Sequence, residues 1–250
     1  MLKRRIIPIE LLLNGRLVKT KAFEAPRDVG DPVKSSRVYS DQDADELVLI
    51  NIDSSRGFDA LVAAVSEVAK HCFVPLTVGG GVAHVEDAAR LFEAGADKVL
   101  INSMAYRKPE LIAALSSRYG RQAVVVGVDV RKNQDDFVLC ADQGRSAQSI
   151  TLESHLSAID EAGAGEVFVQ RVEFDGAMNG YDLELLRRVV RASRLPIIAA
   201  AGAGNFLHIK EAFDVGVDAA ACGSLFNFGD NNPLRAKAFL KNYGVPLKKV

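Results

Sequence analysis

Cysteine is scarce in this chain of 250 residues, and its three copies, Cys72, Cys140 and Cys222, lie far apart. No two of them form a C-x-x-C pair, and the four histidines show no metal-ligand spacing. This pattern excludes a disulfide framework and the usual zinc sites, and it predicts a protein of the reducing cytoplasm. We expect no metal and no cofactor, and we expect the histidines at the surface or at helix caps.

An excess of either charge is also missing, because 31 lysines and arginines balance 32 aspartates and glutamates. Without a basic face the chain cannot neutralise a run of phosphates, so nucleic acid is not an expected partner. No uncharged apolar run approaches the roughly 18 residues of a membrane helix, so a membrane is not expected either. The N-terminal segment has a basic start, but it contains Glu10 and no small-residue cleavage site follows. We interpret it as a first β-strand.

Short runs rich in β-branched residues recur along the chain, and each is followed by a stretch with helical periodicity. Several runs are apolar almost throughout, as parallel strands buried on both faces should be. Eight strand–helix units within 250 residues predict an α/β fold, the (β/α)₈ or TIM barrel. The predicted strands are 4–13, 46–53, 74–80, 97–102, 123–129, 166–172, 195–201 and 218–224.

An open, doubly wound sheet is the alternative arrangement, but no G-x-G-x-x-G motif follows the first strand. No linker or low-complexity segment divides the chain, so we expect a single domain over residues 1–250. The polar segment 131–149 contains one strand-like run, DFVLCA. It predicts a β-hairpin inserted after the fifth strand.

An internal repeat divides the predicted barrel in two. Segment 75–103 aligns without gaps on segment 196–224, which lies 121 residues later. Unrelated strand–helix–strand units also share glycines and an Ala/Asp turn, but here glycine, aspartate and serine positions all keep one register. The repeat predicts two fused half-barrels, at roughly 1–120 and 121–250.

Glycine-rich turns follow several predicted strands at the end where barrel enzymes hold their substrates. Glycines let backbone N–H groups approach an anion closely, and a following helix adds its dipole. Two such cups on opposite sides of the barrel predict a phosphorylated small molecule with a phosphate at each end. Glycines that only turn strands into helices are the structural alternative. The first cup comprises Gly81, Asn102 and Ser103, and the second cup comprises Asp175, Gly176, Gly202, Gly223 and Ser224.

Charged residues mark both ends of the predicted barrel. Asp129 follows a fully apolar run at the mouth, where it is a candidate general acid or base, or else a loop-anchoring or capping residue. At the opposite end, Arg5, Glu46, Lys98 and Glu166 stand at or near strand starts. Two cations and two anions can form a salt-bridged ring across the barrel floor, although charges there are often only solvated strand ends.

Nearly the whole chain resembles the HisF family, the cyclase subunit of imidazole glycerol phosphate synthase. That family is a (β/α)₈ barrel which binds a substrate with two phosphates and receives ammonia through the barrel from a glutaminase docked beneath it. The resemblance implies that both cups bind phosphate, that Arg5, Glu46, Lys98 and Glu166 form an ammonia gate, and that Lys19 lies on a mobile loop. It also implies a HisH-like glutaminase partner at the N-terminal face of the barrel. The resemblance is carried by NGRLVK (14–19), RDVGDPV (27–33), TVGGG (77–81), GADKVLIN (95–102) and QAVVVGVD (122–129).

One departure from the family concerns its two catalytic aspartates, at the ends of the first and fifth strands. The second is present as Asp129, but the first position is Leu11. Strand alternation places Leu11 in the barrel interior and turns Glu10 outward, so Glu10 cannot substitute. Because losing one acid/base group lowers a rate by about 10²–10⁴, we expect no measurable ammonia-dependent cyclase activity. Gln170 and Ala200 also replace small polar residues that are typical of the family.

The branch of HisF-like proteins associated with glycosyl amidation in O-antigen loci, the WbuZ type, is similar in two stretches. These are the start P-x-x-L-L-x-N-G-x-L-V-K-T (8–20) and the run C-F-x-P-L-T-V-G-G-G (72–81). This resemblance implies a barrel that passes ammonia from the glutaminase to an ATP-dependent sugar amidotransferase, which converts an N-acetyl sugar into an acetamidino sugar. The alternatives are a genuine cyclase (a lyase of histidine biosynthesis) and a non-catalytic scaffold that only activates the glutaminase.

Overall fold

The computed structural model describes residues 3–53, 55, 57–134 and 136–248. Within these residues, eight parallel strands form a closed ring, because the strand over Val124–Asn133 also pairs in parallel with the strand over Glu166–Arg171. This closure confirms the predicted (β/α)₈ barrel and excludes the open doubly wound sheet, which would leave two strand edges unpaired. The barrel strands are β1 (Arg5–Leu13), β4 (Leu47–Asn51), β5 (Leu76–Gly79), β6 (Lys98–Ile101), β7 (Val124–Asn133), β10 (Glu166–Arg171), β11 (Ile197–Ala200) and β12 (Ala219–Cys222).

Helices cover the outside of the barrel. Several begin at side-chain caps, in which an Asp, Asn or Thr oxygen accepts a backbone N–H of the first turn. No helix in the described part of the chain is long and apolar enough to cross a bilayer. The helices are α1 (Pro32–Asp41), α2 (Gly57–Ala69), α3 (Val85–Glu93), α4 (Ser103–Arg107), α5 (Glu110–Tyr119), α6 (Leu152–Glu161), α7 (Leu183–Ala192), α8 (Phe206–Val215), α9 (Ser224–Asn227) and α10 (Pro233–Lys241).

Two antiparallel ribbons extend from the mouth of the barrel. The first continues β1 through β2 (Arg16–Lys21) and β3 (Glu24–Gly30). The second continues β7 through β8 (Asp136–Ala141) and β9 (Ser146–Ala147). Both ribbons bring turn residues over the carboxyl ends of the barrel strands.

The first ribbon corrects the sequence-based placement of Lys19, which was expected on a loop but lies within β2. Asn14 and Gly15 both have positive φ, at 54° and 74°, and form the two-residue turn that joins β1 to β2. An Asn-Gly pair between apolar runs is a strong signal for such a hairpin. Leu17 and Val18 are buried, which anchors the ribbon to the body of the protein.

Alternation along β1 divides its side chains between two apolar layers. Ile7 and Ile9 join Val48 and Val125 in a cluster that fills the barrel interior. Leu11 packs against this interior cluster. Glu10 faces the other way, where its carboxylate accepts a hydrogen bond of 2.7 Å from Ser36 of α1.

Repeated contacts accompany the repeated sequence. The Asp97 carboxylate accepts the backbone N–H of Leu76 at 2.8 Å, and the Asp218 carboxylate accepts that of Ile197 at 2.9 Å. β5 and β6 lie across the ring from β11 and β12. These paired contacts support the proposed two half-barrels.

His155 does not follow the expectation for the histidines. It is buried, and its ring stacks on Tyr106 with a centroid separation of 4.3 Å. Burial lowers the pKa of His155 to about 4. The β7–β8–β9 ribbon, under which α6 packs, was predicted as an insertion, but nothing local in the sequence indicated that it would cover this histidine.

Candidate functional site

A cavity of about 430 Å³ opens at the carboxyl ends of the barrel strands, and both cups line it. Its deep end is apolar, because Ile9, Leu11 and Phe168 project into it from the interior faces of β1 and β10. The backbone closes tightly around the rim. Gly202, at φ +103°, lies so close to the Gly180 carbonyl that a Cβ on Gly202 would collide with it. Any larger residue would therefore displace the turn that forms part of the second cup.

Asp129 lies at the mouth on β7 and is only 7% exposed. Its Oδ1 accepts a hydrogen bond of 2.9 Å from the Gln170 amide on the neighbouring strand β10. Burial raises the pKa of Asp129 to about 6, an effect that the Gln170 hydrogen bond reduces and the charge of Asp175 reinforces. Leu11 projects into the same cavity and supplies no second ionisable group.

The second cup lies beside a buried amine. Lys19 is 6% exposed, and its Nζ donates to the Ile9 carbonyl oxygen and lies close to Gly223. Burial lowers the pKa of Lys19 to about 8, against the opposing charges of Glu10 and Asp175. The Asp175 carboxylate is itself engaged by the first ribbon, because Thr20 and the backbone of Phe23 donate to it at 2.6 and 3.1 Å.

The first cup is covered by the turn of the second ribbon. The Asn102 side-chain N–H donates to the Gly127 carbonyl oxygen at 3.1 Å. The Ser103 hydroxyl accepts the backbone N–H of Asp142 at 2.9 Å, and the Asp142 carboxylate pairs with Arg107. The structure therefore brings the predicted residues of this cup together, and protein contacts engage the Asn102 side-chain N–H and the Ser103 hydroxyl oxygen.

The four charged residues predicted for the barrel floor meet as one network. Arg5 donates to both carboxylates, with a separation of 2.7 Å to Glu166. The Lys98 ammonium lies 3.0 Å from Glu46 and 2.7 Å from Glu166. Burial alone would raise the pKa of Glu166, but hydrogen bonds and charges from Arg5 and Lys98 outweigh it and hold that pKa below its usual value.

Comparison with known proteins decides the family. A family model described as "Histidine biosynthesis protein" matches residues 5–232. The imidazole glycerol phosphate synthase subunit HisF of Campylobacter concisus is 38% identical over 246 residues, covering 98% of each chain. HisF of Streptomyces coelicolor is 39% identical over 246 residues, also 98% of each chain. HisF of Chlorobium limicola is 37% identical over 250 residues, covering 99% of this chain and all of its own.

This chain belongs to the HisF family. Its relatives are named as subunits of imidazole glycerol phosphate synthase, and its fold is the (β/α)₈ barrel that the sequence predicted. Two features of its mouth bear on its function, the apolar Leu11 and the turn that lies over the first cup.

Sequence reasoning missed several residues of this HisF-type site. Thr77 lies inside the barrel on β5 in register with Lys98, and its hydroxyl is buried without a hydrogen-bond partner among the described residues. A threonine within an otherwise apolar strand was the available signal. Asp142 and Arg107 were not singled out, because their approach to Ser103 depends on how the second ribbon folds back.

Proposed function

We propose that this chain is the barrel subunit of a glutamine amidotransferase system, serving amidation of a surface-polysaccharide sugar. In this role it accepts ammonia from a HisH-like glutaminase at its N-terminal face. It then delivers that ammonia through the barrel to an ATP-dependent amidotransferase, which forms the acetamidino group from an N-acetyl sugar. The observation that carries the proposal is the combination of a complete charged floor with Leu11 in place of an acidic residue at the mouth.

The floor supports a conduit because its four charged side chains pair with one another and their charges sum to zero. Two cations and two carboxylates, all largely withdrawn from water, hold one another in place, since an unpaired member would cost several kcal/mol. Displacing one side chain, such as Lys98, opens a path for a small neutral molecule. Docking of a glutaminase against this face is the event that we expect to displace it.

The barrel interior above the floor suits ammonia. The side chains there are apolar, so water is excluded and ammonia is not protonated on its way. Thr77 offers one unsatisfied hydroxyl next to the floor, and a hydrogen-bonding solute would satisfy it. An apolar passage that offers ammonia the Thr77 hydroxyl as a hydrogen-bonding group favours its transit over its retention.

The mouth is poorly equipped for ring closure by paired acid/base groups. Asp129, with a pKa raised to about 6, can exchange a proton near neutral pH. Its hydrogen-bonded neighbour is the neutral amide of Gln170, and Leu11 cannot exchange protons. Asp129 can accept or hold a nitrogen-bound proton, but no carboxylate stands at the position of Leu11 to act with it.

The second candidate is the cyclase itself, a lyase that joins ammonia with a ribulosyl aminoimidazole carboxamide nucleotide in histidine biosynthesis. The names of relatives that match over nearly the whole chain favour it, as does the presence of Asp129. The presence of Leu11 where the family has a catalytic aspartate argues against it. The third candidate is a non-catalytic scaffold that only activates the glutaminase, and the experiment must distinguish it from the other two.

The test compares two nitrogen sources in the reconstituted system of barrel, glutaminase and amidotransferase. Lys98→Ala leaves the floor open, so ammonia released from glutamine should escape and product formed from glutamine should fall. Product formed from added ammonium salt should be spared, because external ammonia does not need to be retained by the floor. Lys210→Ala removes a lysine that is paired on the outer helix α8, and it should change neither rate. Size-exclusion chromatography verifies that both variants still bind the glutaminase.

Equal loss with both nitrogen sources, or no loss with either, would contradict the conduit and leave the floor as a structural salt-bridge cluster. The cyclase is tested directly with the ribulosyl substrate and ammonium. Turnover within about tenfold of a true cyclase would establish the second candidate, since losing an acid/base group lowers rates by more than that.

A further inference from the structure

A buried lysine on α10 takes no part in the cavity or in the floor described above. Lys237 is 2% exposed. Its Nζ lies 2.9 Å from the Asp43 carboxylate and 2.8 Å from the Asp45 carboxylate, and both aspartates belong to the segment between α1 and β4. Apolar side chains of similar volume often stabilise a protein as well as a buried ion pair does. Stability alone is therefore a weak reason for three charges at this place.

The two oxygens of the Asp45 carboxylate bind different partners. Oδ1 accepts from Lys237, and Oδ2 accepts the backbone N–H of Ile6 at 2.8 Å. The backbone N–H of Asp45 donates in return to the Ile6 carbonyl oxygen at 3.0 Å. Regular pairing of β1 with β4 starts only at Ile9 and Val48. Asp45 therefore joins the beginning of β1 to the segment that leads into β4.

The residues next to this junction belong to the charged floor. Arg5 directly precedes Ile6, and Glu46 directly follows Asp45. Arg5 and Glu46 form a salt bridge with each other. A constellation of side chains keeps its geometry only when neighbouring hydrogen bonds fix the backbone that carries it. The contacts of Asp45 with Ile6 fix the backbone on both sides of this salt bridge.

A second aspartate shows what is particular about Asp45. Asp97 directly precedes the floor residue Lys98, and its carboxylate accepts the backbone N–H of Leu76 at 2.8 Å. Asp97 is exposed, so water can reach its remaining lone pairs. Asp45 is 7% exposed, and its cationic partner is Lys237. Without that cation, the ionised Asp45 carboxylate would be costly to keep buried, and it would turn towards water.

We propose that Lys237 is a positioning residue for the charged floor. It holds the Asp45 carboxylate in place, and Asp45 holds the two backbone segments from which Arg5 and Glu46 meet. Within the described residues, the hydrogen bonds of Lys237 go to Asp43 and Asp45, so its effect on the floor passes through Asp45. The inference rests on the proposed function in taking the floor as the ammonia gate.

The first test follows the protonation of Glu166 in the full-length barrel without a partner. Arg5 and Lys98 hold the pKa of Glu166 below its usual value, against the effect of burial. Lys237→Met should displace Arg5, so the pKa of Glu166 should rise and the carboxylate should take up its proton at a higher pH. Carboxyl ¹³C NMR over a pH series measures this change, and Glu166→Gln assigns the resonance.

Two variants at Asp45 test the route of the effect. Asp45→Ala removes the acceptor of the Ile6 N–H and leaves Lys237 paired with Asp43, so it should also raise the pKa of Glu166. This variant decides the question if Lys237→Met does not fold. Adding Asp45→Asn to Lys237→Met replaces the buried carboxylate with a neutral amide, whose oxygen can still accept the Ile6 N–H. The pKa of Glu166 should then return to its wild-type value.

Arg171→Met is the matched control for a loss of stability. Arg171 is largely buried and pairs with the buried Asp182 at the opposite end of the same strand as Glu166. Removing Arg171 should destabilise the barrel and leave the protonation of Glu166 unchanged. The same rise of the Glu166 pKa in Arg171→Met as in Lys237→Met would overturn the inference, because any destabilised barrel would then give it.

The second test uses the reconstituted system with its two nitrogen sources. Lys237→Met should lower product formed from glutamine and spare product formed from ammonium salt, as Lys98→Ala does. An effect of Lys98→Ala without one of Lys237→Met would overturn the inference, as would an unchanged pKa of Glu166 in Lys237→Met and Asp45→Ala. No effect of Lys98→Ala would contradict the conduit, and the protonation of Glu166 would still decide whether Lys237 positions the floor.

Discussion

Replacing Asp129 with asparagine should stabilise the protein at alkaline pH and leave its stability unchanged in acid. The carboxyl is 7% exposed, and burial is the main reason that its pKa rises from 3.8 to about 6. A change of one pKa unit corresponds to 1.36 kcal/mol, so keeping this carboxylate ionised in the fold costs about 3 kcal/mol. Asparagine keeps the shape of the side chain and can still accept the hydrogen bond from Gln170.

The direction of the stability difference between Asp129→Asn and the wild-type protein follows from whether the folded or the unfolded chain binds the proton of Asp129 more tightly. Below pH 4 Asp129 is protonated in both the folded and unfolded chains, so the wild-type protein carries no penalty. Between about pH 4 and pH 6 the unfolded chain ionises first, and the wild-type stability falls relative to the variant. Above pH 6 the difference is constant. Urea denaturation at a series of pH values from 4 to 8 should therefore show Asp129→Asn gaining up to about 3 kcal/mol.

Asp59→Asn is the control, because Asp59 lies on the surface of α2 and pairs there with Arg90. Such exposed pairs contribute about 0–1 kcal/mol, and their removal should give no step between pH 4 and pH 6. If Asp129→Asn showed the same pH dependence as the wild-type protein, Asp129 would ionise normally. Asp129 would then not be the group that exchanges a proton near neutral pH.

Three further predictions concern the mouth, the floor and the outer shell. Leu11→Asp should raise ammonia-dependent cyclase turnover of the ribulosyl substrate by up to about 10²-fold, because it restores a second acid/base group; unchanged turnover would mean that more than Leu11 disables the site. Glu166→Gln leaves two cations facing one carboxylate at the floor and should lower the free energy of unfolding by about 3 kcal/mol, measured in urea. Lys237→Met removes a buried cation that lies 2.9 Å from Asp43 and 2.8 Å from Asp45, and it should lower the free energy of unfolding by more than about 1 kcal/mol. A smaller loss would show that this cluster is not stabilising.

The barrel and its charged floor were predictable from the sequence, because both depend on local periodicity. Alternation along a strand assigns each residue to the interior or the helix-covered face, so Arg5, Ile7 and Leu11 share one direction. Parallel strands begin at the same end of the barrel, and charges at their starts therefore converge. Only the distances between the charged side chains of the floor could not be derived from the sequence.

The covered first cup and the buried Lys19 were not predictable in the same way. Each depends on a ribbon that folds back over the mouth, so the contacts join residues far apart in the chain. Asp142 reaches Ser103 across 39 positions, and no periodic pattern connects them. The Asn14-Gly15 turn carried a local signal for the first ribbon, but the burial of Lys19 follows from its packing over the barrel.

The most direct test of ammonia delivery is the origin of the nitrogen in the product when both sources are present. The reconstituted system is given glutamine with a ¹⁵N-labelled amide together with unlabelled ammonium salt, and the acetamidino product is analysed by mass spectrometry. With the wild-type barrel the product should stay labelled, and with Lys98→Ala the unlabelled nitrogen should replace the label. Equal dilution of the label with the wild-type barrel and with Lys98→Ala would show that ammonia reaches the amidotransferase through solvent and would contradict the conduit.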